Sequence, residues 1–389
     1  MSDTNRVSVK IAEETEAGTL ETTNEFINIP FTGTSDMGAT PETVVSDLIR
    51  SDRQVSDLIK VNESIGGGFD AELMPGAFDT LFEGVMQSTW VAGSEIIALG
   101  DSVTTVTATG QSITNDTQGS GWTNGVRIGD VIRFTVAGVE YQKVVTAING
   151  TTLYMSGTDL PTVTSATDWT ATRPDRLENG ITPKSYTVER SFEDISVFEY
   201  MTGMEIDTFS PSASAGSIVT SSFGMIGRSH TSETSRGAVT DAVDESIGTP
   251  FNASSNVAKL SENQTDLTFV TELSLEITNN LRERNVLGVV GASSIGSGEF
   301  NVTGSMSVYF EDNALLEKLL NNTQTKLTFA FAAADGSVLS FHLPAIKFTE
   351  GLPEVSGKNE DVILSLGFQA IAGGPYDTTL IVQRLAATA

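Results

Sequence analysis

The sequence predicts a mainly β protein with an internal duplication, on three observations. Thr, Val, Ser and Gly are abundant, whereas helical periodicity is confined to short stretches. Apolar and polar residues alternate with a period of two along several segments, the pattern of strands with one buried face. A strand, a capping turn and a short amphipathic helix also follow one another twice, over 298–320 and more weakly over 67–86. At 389 residues the chain is long enough for two or three domains with cores of their own.

In the later copy Phe300, Val302, Gly304, Met306, Val308 and Phe310 alternate with Asn301, Thr303, Ser305, Ser307 and Tyr309. Glu311, Asp312 and Asn313 then supply acidic and capping side chains where a helix N-terminus needs them. Leu315, Leu316, Leu319 and Leu320 share one helical face, with Glu317 and Lys318 outside it, and Asn321 and Asn322 end the turn. So short a helix is marginal in water, so its leucine face is expected on a sheet. The earlier copy follows the same plan with other residues. Phe69, Ala71 and Leu73 alternate with Asp70 and Glu72, Pro75 suits a first helical turn, and Phe78, Leu81, Phe82 and Val85 recur at helical spacing.

Taken in order, residues 1–25 carry Glu13, Glu14, Glu16, Glu21 and Glu25 with few apolar residues and read as an exposed arm. Phe26–Gly33 is a short strand, 34–41 a loop, and Pro41–Arg50 a helical turn or a strand edge. Ser56–Glu63 alternates as a strand. Gly66, Gly67 and Gly68 lack the Lys-Ser/Thr of a phosphate loop and indicate a bulge or a close backbone crossing. From Asp101 to Asp168 the register changes. Val126–Phe134, Val139–Ala147 and Thr151–Met155 are β-rich, and Asn149-Gly150 marks a hairpin. Trp122 and Trp169 frame this segment as core or rim residues of a small barrel, with Arg173, Pro174 and Asp175 at its exit.

Ser185–Met225 returns to the interrupted unit. Pro211 and Pro353 are 142 residues apart and Phe223 and Phe368 are 145 apart, while Leu81 and Leu315 are 234 apart. The difference, roughly ninety residues, is comparable to an insert present only in the first half. From Gly227 to Gln264 the chain is small and polar, too long for an ordinary connection, and reads as a linker or as a loop pinned by a neighbouring subunit. Leu267–Thr278, Lys326–Ala333, Ser337–Phe348, Asp361–Ala370 and Thr379–Leu385 add strands. The chain thus divides into an arm (1–25), a first module (26–99 and 176–228), an inserted small β-barrel-like domain (100–175), a linker or extended loop (229–264) and a second module (265–389).

The residues present argue against catalysis. There are no cysteines, and His230 and His342 are the only imidazoles. His230 lies in a loop-like tract and His342 in an alternating strand. No Gly-x-Ser-x-Gly elbow supports a serine nucleophile, and no carboxylate pair is singled out by spacing for glycoside hydrolysis. Asp241, Asp244 and Glu245, and also Glu311 and Asp312, lack the spacing of a calcium loop. No catalytic, cofactor-binding or metal residue is therefore assigned, no cofactor is expected, and the chain reads as not an enzyme. No apolar run approaches the ~20 residues of a membrane span, and Met1–Lys10 is not a signal peptide, so no membrane partner and a cytosolic origin are expected. The formal charge of −28 opposes binding of free nucleic acid by counterion release. It fits either a generic solubility surface or acid placed where nucleic acid passes without sticking.

Leu275–Leu281, Val286–Gly288, Val302–Asp312, Leu315–Leu320, Phe341–Phe348 and Gly357–Val362 resemble the tail tube (major tail) proteins of long, flexible-tailed bacteriophages, the siphophages. Ser51–Trp90 is similar to the front half of such proteins. The resemblance implies a β-sandwich or sheet with one packed helix per module, assembled as stacked rings around a DNA channel in a virion tail and made in the host cytoplasm. One tube fold per chain gives a homohexameric ring; two give a homotrimeric, pseudo-hexameric one, which this sequence favours, with the hexamer second. It also implies that the insert decorates the outer wall and that 227–264 and the N-terminal arm bridge rings. The implied partners are further copies of the chain, a tape measure protein, terminator and tip proteins, and double-stranded DNA in transit. The competing readings are a β-rich surface adhesin or carbohydrate-binding protein and a carbohydrate-active enzyme.

Overall fold

A computed structural model describes residues 2–93, 105–116, 122, 125–136, 138–157, 159–167, 169–237, 239–243, 248–254, 257–262, 265–355 and 357–387. Among them are twenty-eight strands and two α-helices, so the protein is mainly β. Strands β1 (Val7–Glu13), β2 (Phe26–Asn28), β3 (Gly33–Val45) and β4 (Leu58–Glu72) precede helix α1 (Asp79–Met86). Seven strands follow: β5 (Val106–Gly110), β6 (Ser112–Asn115), β7 (Val131–Val136), β8 (Val139–Asn149), β9 (Thr152–Met155), β10 (Leu160–Ala166) and β11 (Trp169–Thr172). The chain then forms β12 (Asp175–Glu178), β13 (Tyr186–Phe192), β14 (Val197–Ser214), β15 (Thr220–Gly227), β16 (Ser229–Glu233), β17 (Ala242–Val243), β18 (Val257–Glu262) and β19 (Thr265–Asp266). The last part comprises β20 (Val270–Thr278), β21 (Arg282–Arg284), β22 (Ser294–Gly296), β23 (Asn301–Tyr309), α2 (Ala314–Leu320), β24 (Thr325–Ala332), β25 (Val338–Glu350), β26 (Pro353–Glu354), β27 (Ile363–Ala370) and β28 (Ile381–Leu385).

The strand order repeats. In the first half the hydrogen-bonded neighbours run β1–β13–β14–β15–β4–β3. In the second they run β18–β24–β25–β27–β23–β20. A further strand, β16 in one half and β28 in the other, lies on β14 and β25 respectively. Irregularities repeat as well. β14 carries an extra residue between Met201 and Met204 opposite β13, and β25 carries one between Leu343 and Ile346 opposite β24. Another follows between Ile206 and Thr208, matched between Phe348 and Glu350. Bulges at one spacing in both halves are the backbone signature of a duplication. They align Met225, rather than Phe223, with Phe368.

At these bulges β14 and β25 leave one sheet and enter another. The later half of β14 pairs with β15 on one side and with β20 on the other. A single sheet of eight strands therefore runs β3–β4–β15–β14–β20–β23–β27–β25 across both repeats, with β26 extending β25 beside β27. One of its faces is buried over a shared core. Phe209 lies 4.7 Å from Phe223 and 6.2 Å from Phe341, Phe82 meets Phe209 edge-on at 5.3 Å, and Phe329 stacks on Phe341 at 5.1 Å. α1 buries Leu81, Phe82 and Val85, as its periodicity predicts, and Met86 besides. α2 buries only Leu315; Leu316 and Leu319 are half-buried and Leu320 is exposed, so the four-leucine face is only partly covered. Its cap bond comes from Asp312, whose carboxylate accepts the Ala314 N–H at 2.8 Å.

Three expectations are corrected. The acidic stretch 1–25 is not an exposed arm: β1 pairs with β13 along its whole length, and Val9, Ile11 and Ala12 are buried. Beyond it, the Glu21 carboxylate accepts the N–H groups of Thr15, Thr22, Thr23 and Asn24 and the hydroxyls of Thr15 and Thr23. Led by the Thr23 hydroxyl, these bonds hold it well below the ordinary carboxylate range. The stretch 229–264 is no free linker either, because β16 pairs with β14, β17 with β2 and β18 with β24. Asp244, Glu245 and Gln264 lie outside the described residues. Residues 34–41 are not a loop but part of β3, which runs on to Val45, so Pro41–Arg50 takes the strand alternative over its first half. The glycine run behaves as expected. Gly67 has φ +113, and a Cβ there would lie 2.4 Å from the backbone of Asp36 and Met37, at a bulge between β3 and β4.

The seven strands from Val106 to Thr172 form a sheet of their own, in the order β10–β5–β6–β9–β8–β7–β11. It is an open half-barrel rather than a closed one: its outer strands do not pair with each other among the described residues. Trp122 and Trp169 are both buried in it, edge to face at 5.9 Å. Asp101 and Asp168, the expected limits, lie outside the described residues. The unit is docked rather than merely projecting. Val131 and Val144 pack with Ala330, Val338 and Leu385, and Gln383 accepts the Val131 N–H at 2.9 Å. Asp130 forms a buried ion pair with Arg176. Gly129, at φ +95, lies flat against the His342 ring.

His342 is buried with its Nδ1 2.7 Å from the Thr328 hydroxyl. Burial, helped by nearby Lys326, lowers its pKa from 6.5 to about 3. The folded ring stays neutral where the unfolded one takes a proton, so this contribution is present above about pH 6.5 and is lost as pH falls toward 3, by about 1.4 kcal/mol per unit. His342→Gln is expected to flatten that part of the stability–pH curve, measured by urea unfolding between pH 6.5 and 4. Phe341→Ala is expected to cost about 3–5 kcal/mol. It should do so in one cooperative transition, because the ring touches both repeats; two separate transitions in denaturant would contradict a shared core.

Candidate functional site

The described residues hold no group of three His, Cys, Asp or Glu poised for a metal. His230 lies on β16 with Nε2 3.9 Å from a Glu199 oxygen, and His342 lies in the core. Asp241 pairs with Arg236 at 2.8 Å, and its presumed companions Asp244 and Glu245 lie outside the described residues. The surface that stands out is instead the open face of the eight-strand sheet.

Alternation builds that face. Where Leu273, Leu275 and Ile277 of β20 enter the core, Glu272, Ser274, Glu276 and Thr278 point the other way. Their neighbours are Ser210 and Ser212 of β14, Thr303, Ser305 and Ser307 of β23, Ser365 and Gln369 of β27, and Ser222 of β15. Hydroxyls satisfy one another across strands, Ser274 with Ser305 at 2.8 Å and Ser307 with Ser365 at 3.1 Å. The charged members are Asp70 and Glu72 of β4, Glu272, Glu276 and Glu350, against the single cation Lys347. Two shallow concavities occupy equivalent places in the two repeats. One is lined by Asp36, Gly68, Thr208, Ser222 and Gly224, the other by Glu276, Ser305, Glu350, Gly367 and Gln369. The face is small in side chain, hydroxyl-rich and negative.

Both edges of the eight-strand sheet are open among the described residues. β3 pairs only with β4, and the end of β25 with β26 pairs only with β27. Beyond the sheet, β3 and β4 continue as a projecting ribbon. At its tip Leu48 is 73% and Ile49 100% exposed, with Val44, Val45, Val55, Leu58, Ile59 and Val61 also exposed. The corresponding extension of the second repeat, β21–β22, leans on β4: the Ser64 hydroxyl donates to Glu283 at 2.7 Å and the Gly291 N–H to Asn62 at 3.1 Å. The sequence reading assigned bridging to 1–25 and 227–264 and missed this ribbon. The signal was present, as adjacent apolar residues at 44–45, 48–49 and 58–59, which place apolar side chains on both faces of a strand.

A family model described as phage tail tube protein matches residues 4–370. A search of curated proteins finds no match.

Because nothing in the described chain covers the ribbon tip, Leu48→Ser, Ile49→Ser and Val55→Ser together are expected to change folding stability by no more than about 0.5 kcal/mol each. Chemical denaturation checks this; a large loss would show that the tip is covered within the chain.

Proposed function

Because this chain belongs to the phage tail tube protein family, matched over residues 4–370, we propose that its copies join edge to edge into rings that stack around a channel for double-stranded DNA. The coarser role, a structural subunit of the virion tail that assembles with itself and other tail components, follows from membership alone. The observation that carries the finer reading is the continuous eight-strand sheet, roofed on one face, negative on the other and open at both edges.

Ring size follows from strand geometry. Three copies contribute twenty-four strands, eight from each. At a spacing of about 4.8 Å and a tilt of roughly 40°, such a barrel has a backbone diameter of about 48 Å, and side chains narrow it to roughly 38 Å. That bore admits a DNA duplex with clearance on every side. Six copies would double the diameter and leave the duplex unconfined, so the trimer with pseudo-sixfold symmetry is favoured. In this ring one module takes in β1 with 26–99 and 176–228, the other takes in β18 with 265–389, and 100–175 stands on the outer wall.

With its open face inward, the sheet presents carboxylates and hydroxyls to the phosphate backbone. Repulsion reaches about 8 Å at physiological salt, so it acts at the wall, where adhesion would otherwise stop a sliding polyanion. Stretches 1–25 and 229–264 are built into the sheets, and the β3–β4 ribbon takes their place as the bridge between rings. Its exposed apolar tip is a patch of the kind that marks a contact surface. A tape measure protein inside the growing tube and terminator and tip proteins at its ends complete the set of partners.

Electron microscopy of the purified protein is expected to show hollow rings or tubes of constant bore; chains that remain monomeric at high concentration overturn the proposal. Replacing 47–56 by a short turn is expected to leave rings but abolish stacking. Glu272→Lys with Glu276→Lys is expected to leave folding unchanged while lowering DNA delivery by variant virions about tenfold or more. Unaltered delivery would remove this face from the channel.

A further inference from the structure

Within the eight-strand sheet the two repeats are joined by one strand pairing whose register is known in full. β14 and β20 run antiparallel with Thr208 opposite Thr278, Phe209 opposite Ile277, Ser212 opposite Ser274 and Ala213 opposite Leu273. The shared bulges carry Thr208 onto Glu350, Pro211 onto Pro353, Ser212 onto Glu354 and Ala213 onto Val355. The β4–β15 and β23–β27 pairings carry Leu273 onto Thr34, Ser274 onto Ser35, Ile277 onto Ala39 and Thr278 onto Thr40. Both strands required for a second copy of this junction are thus in the chain, but on its two opposite open edges. They cannot meet within one molecule.

We propose that neighbouring copies of this chain join by repeating that junction between molecules, and that like charge makes the repeat weaker than the original. Glu350–Val355 of one copy runs antiparallel to Thr34–Thr40 of the next, with Glu350 opposite Thr40, Gly351 opposite Ala39 and Glu354 opposite Ser35. This rests on the ring reading and specifies its seam. Leu352 and Val355, 75% and 80% exposed in the single chain, stand where Ser210 and Ala213 stand in the built-in junction and supply apolar attraction.

The charge differs sharply between the two seams. Between Thr208 and Ser214 the built-in junction has acids on one strand only: Glu272 and Glu276 of β20, whose matching segment runs without a bulge, face Thr208, Ser212 and Ser214 of β14 rather than other acids. The intermolecular one has Glu350 and Glu354, and opposite them Asp36, the extra residue that β3 carries between Ser35 and Gly38 at φ +48. Lys347 is the one cation on this part of β25. Like charges across an antiparallel pair oppose pairing, and charged residues on a free edge are a standard means of preventing uncontrolled strand addition. The seam therefore closes only where concentration, salt or further contacts between rings outweigh the repulsion, whereas the junction inside the chain is always formed.

The absence of cysteines makes the register directly testable. Thr34 and Val355 oppose each other in the proposed seam, close enough for a disulfide. Full-length Thr34→Cys/Val355→Cys protein, oxidised after assembly, is expected to give a ladder of covalent species ending at three chains, and neither single variant should give it. Rings that form without this cross-link overturn the register and leave the ring reading standing. Wild-type protein that forms no rings by electron microscopy overturns both. Glu350→Thr with Glu354→Ser, the residues of the built-in junction, is expected to lower the concentration needed for assembly about tenfold at low salt and to flatten its salt dependence. An unchanged threshold overturns the charge asymmetry.

Discussion

Over Thr208–Ser212, strand β14 is hydrogen-bonded along both of its edges, to β15 on one side and β20 on the other. A strand has only two edges, so this stretch is saturated and binds the two repeats into one sheet. Its core-facing side chain does the same in three dimensions, since Phe209 touches Phe82 and Phe223 from the first repeat and Phe341 from the second. Separating the repeats would expose a row of backbone donors and acceptors together with a phenylalanine core. The continuity of the negative face, the position of the open edges and the width of any barrel built from them all follow from this double pairing.

The inserted half-barrel is bound by a different kind of contact. It leaves the first repeat near α1 and rejoins it at β12, yet it rests on β24, β25 and β28 of the second. Apolar contact between Val131, Val144, Val338 and Leu385 supplies attraction without direction, and the buried Asp130–Arg176 pair supplies direction. Such pairs add little net stability because both ions are desolvated, but they tolerate few alternative geometries. β12 itself pairs with β28, so the insert, its stem and the second repeat form one rigid assembly. An insert held this way moves with the second repeat rather than on a tether.

Much of this was legible in the residues. The alternation in 301–309, the helical spacing of Phe78, Leu81, Phe82 and Val85, and the 142-residue interval between Pro211 and Pro353 each reported a local structure with a fixed period, and each is observed. The glycines at 66–68 announced a close crossing because only a residue without a Cβ permits one. What misled was composition. The glutamates of 1–25 suggested solvent, but Glu14 and Glu21 are buried among hydroxyl and N–H donors that alternation does not reveal. The polar tract 229–264 suggested a linker, yet short strands within it complete sheet edges through backbone groups, which carry no sequence signature.

The open face of the eight-strand sheet shows the same division. That Glu272, Ser274, Glu276 and Thr278 lie together on one side of a strand was determined by the sequence itself, since a period of two leaves no other arrangement. So were the duplication and the excess of acid. Which side faced solvent, which strand lay beside which, and which edges stayed open were decided only by the tertiary structure. Those outcomes depend on pairing between segments tens to hundreds of residues apart, and backbone hydrogen bonds are chemically alike at every position. Only the packed core, by choosing one set of neighbours, turns a periodic pattern into a surface with an inside and two ends.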